Sequence, residues 1–191
     1  MQLFTYLLIY PFLWIVSLLP FRMLYALSDG LYILFYYVFR YRKKTVMDNL
    51  ELIFPEKTPN ERIRISKVFY HHLCDMILEA IKSMNISLED MKKRFKFTNI
   101  EVIKDFEKRN KSIVLMCAHY ASWEWIFILQ AYTSHKTFAI YKRLKNKYFD
   151  ALVKKIRARY NSYLITTKQT IPVLTENKKN GLLTINGFAS D

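Results

Sequence analysis

KSIVLMCAHYASWEWIFILQAY, residues 111–132, marks a change of pattern that organises the whole chain. Residues 113–118 form a short apolar run, with the length and composition of a buried strand. His119 follows at once, and residues 122–132 read as a helix. The alternation then continues: 137–141 as a strand, 146–160 as a helix capped by Asn146, 162–166 as a strand, 169–177 as a helix, 181–186 as a strand. Strands separated by helices predict an α/β fold, a mostly parallel sheet flanked by helices. Ligands of such sheets bind beyond the carboxyl ends of the strands. The loops starting at His119, Lys142, Thr167 and Gly187 are therefore where chemistry is expected.

Upstream the pattern is helical. Thr58-Pro59-Asn60-Glu61 combines a cap, a proline at the first helical position and the acid of a capping box. Apolar residues then recur at steps of three and four from Ile65 to Met84, which predicts one long amphipathic helix. Ser87 is a second cap, residues 94–98 alternate like a strand, and 99–109 read as a further helix. His71, Asp75 and Glu79 share a face of the long helix. They are conceivable metal ligands, although a polar stripe of i, i+4 pairs explains the same spacing and no second ligand cluster supports the metal.

Moving outward to the termini, charge is distributed unevenly. The 191 residues hold 30 Lys and Arg against 16 Asp and Glu, a net charge of +14, yet residues 1–39 contain only Arg22 and Asp29. Residues 1–21 carry no charge, and such a helix is about 30 Å long, the thickness of a bilayer core. Pro11 is expected to kink it. A second apolar run, 23–39, is broken at Ser28-Asp29-Gly30 and meets the cluster Arg40, Arg42, Lys43 and Lys44, which should remain cytoplasmic. The expected organisation is a hydrophobic membrane-anchoring segment at 1–39, a helical segment at 40–110 and an α/β core at 111–191. The apolar content of 52% excludes a disordered basic tail, and two cysteines exclude a disulfide scaffold.

His119 and Glu124 are the candidate reactive pair. With His119 on the strand-to-helix turn and Glu124 in the first helical turn, the carboxylate can accept from one ring nitrogen and fix the tautomer. The other nitrogen then faces substrate as a general base, and the carboxylate stabilises the imidazolium that forms. No Ser or Cys nucleophile is needed if a substrate hydroxyl attacks directly. Residues 142–159 add eight bases, with Asp150 as the sole acid. Anionic partners follow from that charge: lipid phosphate, an acidic carrier protein or a membrane surface. Nucleic acid is not expected, since the apolar head and the His–Glu pair have no role in binding it.

CAHYASWEW, with His119 and Glu124 four residues apart, resembles the His-x-x-x-x-Asp/Glu signature of acyltransferases, in the variant of the lipid A biosynthesis acyltransferases within the lysophospholipid acyltransferase superfamily. YRKKTVMDNLELIFPEK, FYHHLCDMILEAIK and YKRLKNKYFDALVKKIRARY are similar to its Bacteroidetes-type members. The resemblance implies a glycerolipid acyltransferase-like fold behind an N-terminal membrane anchor, with His119 as general base and Glu124 as its partner. It implies an acyl carrier protein thioester as donor and a hydroxyl of a phosphorylated glucosamine lipid as acceptor. No metal or redox cofactor is implied. Arg143, within Tyr141-Lys142-Arg143-Leu144-Lys145-Asn146, matches a family segment that usually has proline where Leu144 stands. Arg157 and Arg159 match an Arg-x-Arg stretch implicated in acceptor binding, and Asp191 matches an Asp after the last strand. The expected setting is the cytoplasmic face of a bacterial inner membrane.

Two departures from the family are visible. Ala121 and Ser122 stand where the family often has Gly and Asn, and Ala adopts positive φ less easily than Gly. Family members also continue beyond the position of Asp191, so a truncated chain is expected. Two alternatives stay open: acylation of a lysophospholipid or an amino-acid-containing lipid, and an inactive membrane-anchored protein that binds lipid or carrier.

Overall fold

A computed structural model describes residues 1–189. The chain packs as two compact units, Leu13–Lys82 and a larger one combining Met1–Phe12 with Ser83–Asp191.

In the smaller unit, helix α1 (Gln2–Leu18) ends and is followed by α2 (Phe21–Ile33), a π-helical turn Leu34–Val38, α3 (Lys43–Ile53) and α4 (Pro59–Lys82). Pro11 lies inside α1; the break comes instead at Pro20, which has no N–H to continue the ladder. Lys82 donates to the carbonyls of Ser17 at 2.9 Å and Leu19 at 2.7 Å, so an ammonium closes the negative end of α1. Val16, Leu24 and Leu78 form the buried centre, with Leu19, Phe21, Leu27, Leu31 and Ile81 packed on it. The Thr58 cap forms as the sequence predicts: Thr58 N–H donates to Glu61 Oε2 at 2.8 Å and Glu61 N–H to Thr58 Oγ1 at 3.3 Å.

The expectation of a membrane-spanning N-terminus is corrected. Among the described residues no helix is long and apolar enough to cross a membrane. The apolar run 1–21 is divided at Pro20, and its 17-residue helix is about 25 Å long, short of a bilayer core. The metal reading of α4 also finds other partners. His71 Nε2 lies 2.6 Å from Asp29 and Nδ1 3.4 Å from Asp75, while Tyr25 OH donates to Glu79 at 2.7 Å. Among the described residues no group of three or more His, Cys, Asp or Glu side chains is arranged to hold a metal.

The larger unit holds α5 (Leu88–Arg94), α6 (Ile100–Lys108) and a four-stranded sheet of β1 (Ile113–Cys117), β2 (Lys136–Tyr141), β3 (Tyr163–Thr166) and β4 (Thr184–Ala189). Its order is β1-β4-β2-β3 and every pairing is parallel, with Ile113 opposite Ile185, Thr137 opposite Ile185 and Phe138 opposite Tyr163. The α/β prediction holds, with a helical crossover between each strand and the next, as parallel pairing requires. A 3₁₀ helix, Trp123–Tyr132, joins β1 to β2; α7 (Lys147–Arg157) joins β2 to β3; α8 (Thr170–Lys179) joins β3 to β4. Ile128 and Ile185 are the most buried side chains between sheet and crossovers.

Residues 94–98 are not a strand. Phe95 and Phe97 pack edge to face at 5.3 Å, and Phe97 does the same on Tyr132 at 5.3 Å. Their alternation serves an aromatic cluster rather than a pleat.

Candidate active site

All four strands run the same way, so the residues after them meet at one end. A cavity of about 440 Å³ opens there, lined by His119 after β1, Lys142 after β2, Thr167 after β3 and Phe188 in β4, with Trp123, Val153 and Arg157 from the crossovers. The positions His119, Lys142 and Thr167 singled out in the sequence are thus brought together, whereas Gly187, expected to start a loop, lies inside β4 because that strand runs on to Ala189. Beside it lies a second cavity of about 90 Å³ with an apolar lining that includes Leu115, Ile126, Leu129, Phe138 and Ile140. Trp123, Phe127, Ile140 and Ala189 line both.

The turn after β1 delivers the first candidate side chain. Ala121 sits at φ +51°, in the left-handed region that ordinarily favours glycine. The turn therefore keeps a glycine-like shape with alanine in it, and Trp123 N–H donates to the Ala121 carbonyl at 2.8 Å. His119 is exposed at the cavity wall, and its ring meets Trp123 edge to face at 4.9 Å.

Glu124 occupies the first turn of the 3₁₀ helix, where an acid complements the positive end of the backbone dipole. Its carboxylate is gripped by Arg157. The Arg157 Nε–H donates to Oε2 at 2.9 Å and Nη2 to Oε1, a two-pronged ion pair at the last turn of α7. The Arg157 guanidinium also lies 5.4 Å from the centre of the Trp123 ring on which His119 packs, so Glu124 and His119 are linked through Arg157 and Trp123.

The remaining predicted residues have different situations. Arg143 is exposed on the loop between β2 and α7. That loop is fixed from three sides. Leu144 N–H donates to Asp150 at 2.9 Å, Asn146 caps α7 by accepting from Tyr148 N–H at 3.0 Å, and Asn146 Nδ2 donates to the Gln2 carbonyl at 3.1 Å. Burial alone would raise the Asp150 pKa, but the Leu144 N–H, Lys154 and Arg143 outweigh it and hold the carboxyl below its ordinary value. Arg159 donates to the carbonyls of Ser83 at 3.3 Å and Met84 at 3.1 Å, and neither it nor Arg143 lines the cavity. Asp191 lies outside the described residues.

Sequence reading did not give Arg157 its carboxylate partner, nor Trp123 and Val153 their place in the wall. One signal was present: Val153 and Arg157 are four apart on α7 and so share a face.

The model of the family described as bacterial lipid A biosynthesis acyltransferase matches residues 1–186. No curated protein matches the chain.

Proposed function

The chain belongs to the bacterial lipid A biosynthesis acyltransferase family, and from that premise we propose that it moves a fatty acyl group from an acyl carrier protein thioester to a hydroxyl of a lipid A precursor. His119 acts as the general base and Glu124 as its partner. The observation that carries this reading is the position of His119, exposed at the carboxyl end of β1 on the wall of the larger cavity.

The step follows from those groups. The imidazole takes the proton from the acceptor hydroxyl as its oxygen attacks the thioester carbonyl carbon. The tetrahedral intermediate collapses, the C–S bond breaks, and the imidazolium returns the proton to the departing sulfur. A positive charge forms on the ring between the two transfers, and the Glu124 carboxylate, its proposed partner, favours it. The apolar cavity, at about 90 Å³, offers a dry wall to the part of the acyl chain next to the thioester, while the polar acceptor is assigned to the larger one beside Lys142.

The acceptor is a lipid, so the reaction occurs at a membrane boundary, for which the cytoplasmic face of the inner membrane is the proposed location. Two features support it. Leu3, Phe4, Leu7 and Leu8 of α1 are exposed, as apolar side chains meant for the headgroup and acyl boundary would be. The same helix begins at Gln2, which accepts from Asn146 beside the exposed Arg143 and Lys145, groups suited to lipid phosphate or to acidic carrier protein.

Replacing His119 with alanine and measuring acyl transfer to a phosphorylated, acylated glucosamine disaccharide tests the reading. Loss of transfer with retained folding is expected. Turnover equal to that of the unaltered protein removes His119 from the base role.

A further inference from the structure

Arg157 is matched by sequence to a stretch that receives the acceptor, but its geometry points elsewhere. Its side chain is 14% exposed and that of Glu124 21%, so the pair is largely shielded from water. Nε and Nη2 both face the carboxylate, which takes one of the two donor edges a guanidinium can offer to an anion. The guanidinium carbon lies 5.4 Å from the Trp123 ring centre and 5.4 Å from that of Phe127. Trp123 in turn is the ring against which His119 packs.

From this arrangement we infer that Arg157 is a positioning residue: it clamps Glu124 in one rotamer, braces Trp123 behind His119, and is not the phosphate-binding cation of the site. The inference rests on the roles proposed for His119 and Glu124. Lys142, which lines the cavity as Arg157 does but pairs with no carboxylate among the described residues, is left as the cation that meets an anionic acceptor inside it, with the exposed Arg143 next to it outside the lining. A lysine at 157 would retain the charge and lose the fork, so it would not restore the clamp.

Two measurements on the whole chain test this. In acyl transfer from a carrier thioester, Arg157→Lys lowers kcat by about 100-fold and leaves the acceptor KM within about 2-fold. Combining Arg157→Ala with Glu124→Ala costs no more than Glu124→Ala alone, since the two act as a unit. A raised acceptor KM with kcat held overturns the inference.

The second measurement needs no turnover and follows inorganic phosphate binding by calorimetry. Arg157→Ala alone leaves the affinity unchanged. Glu124→Ala tightens it by about 5-fold by releasing the fork, and adding Arg157→Ala removes that gain. Weaker phosphate binding in Arg157→Ala alone overturns the inference. If phosphate follows the expected pattern while the unaltered chain transfers no acyl group, the clamp stands and the acyl-transfer reading falls.

Discussion

At the amino ends of the strands, Glu107 accepts from Thr133 Oγ1, from Ser134 N–H at 2.7 Å and from Ser134 Oγ at 3.1 Å, and pairs with Lys104 at 2.9 Å. His135 Nε2 donates to the Lys111 carbonyl at 2.9 Å, Thr137 N–H donates to Gln130 at 2.8 Å, and Ser162 Oγ donates to the Phe127 carbonyl at 2.9 Å. At the carboxyl ends the same four strands surround a cavity, a left-handed alanine and an exposed histidine. One end uses its polar side chains to tie loops to strands. The other holds strain and open volume, which fits the general finding that irregular backbone gathers at functional sites. The two ends share a sheet, so the first can anchor what the second leaves open.

Breaking each end should give opposite signatures. The largest expected effect is at the carboxyl end: His119→Ala lowers acyl transfer by about 100- to 10,000-fold, while the thermal unfolding midpoint stays where it was, because the ring is exposed. A midpoint that falls as far as that of an amino-end variant would make His119 a structural residue.

Next comes Glu107→Gln. Burial alone would raise the Glu107 pKa, but hydrogen bonds from Thr133, Lys104 and Ser134 outweigh it and bring the carboxyl down from 4.5 to about 2. A depressed carboxylate contributes stability above its ordinary pKa and loses it as pH falls toward the folded value. The substitution should therefore cost about 2 kcal/mol at neutral pH. The gap to the unaltered protein should close as pH falls from 4.5 toward 2. Chemical denaturation at several pH values checks it, and a gap that stays constant to low pH would show that the charge at Glu107 is not what holds the turn.

How much of this contrast the sequence carried depends on the kind of signal. The four strands were legible because each is a short apolar run between polar punctuation, and their parallel sense follows from the helical spacing between them, whereas the order β1-β4-β2-β3 has no local signal. The caps at Thr58, Ser87 and Asn146 were legible because side-chain capping is local, and all three accept the expected backbone N–H. The form of residues 123–132 was not. Their even hydrophobicity has no strong period, so packing against the sheet, rather than an amphipathic stripe, determines the 3₁₀ geometry. The end of α1 was misread because apolar length outweighed Pro20. The partner of Arg157 was out of reach, since it lies 33 positions away in Glu124.

A smaller effect is expected at Asn146, whose side chain accepts from Tyr148 N–H and Phe149 N–H and so starts α7 beside the cavity. Asn146→Ala should cost about 1 kcal/mol by loss of the cap, read as a lower denaturation midpoint. If stability is unchanged, the hydrogen bond from Lys147 N–H to the Gln2 side-chain Oε1 already suffices to set the helix start.

Smallest, and of opposite sign, is Ala121→Gly. Holding a residue with a Cβ at φ +51° costs about 1–2 kcal/mol, which glycine avoids. Glycine also brings more freedom to the unfolded chain, worth about 0.5–1 kcal/mol against folding. The difference leaves a gain of at most about 1.5 kcal/mol, and a denaturation midpoint shifted upward would register it. Such a gain would place measurable strain at the carboxyl end, where no amino-end hydrogen bond relieves it. Loss of stability would mean instead that the Ala121 methyl makes contacts worth more than its backbone costs, and that this end of the sheet is held by packing as firmly as the other is by hydrogen bonds.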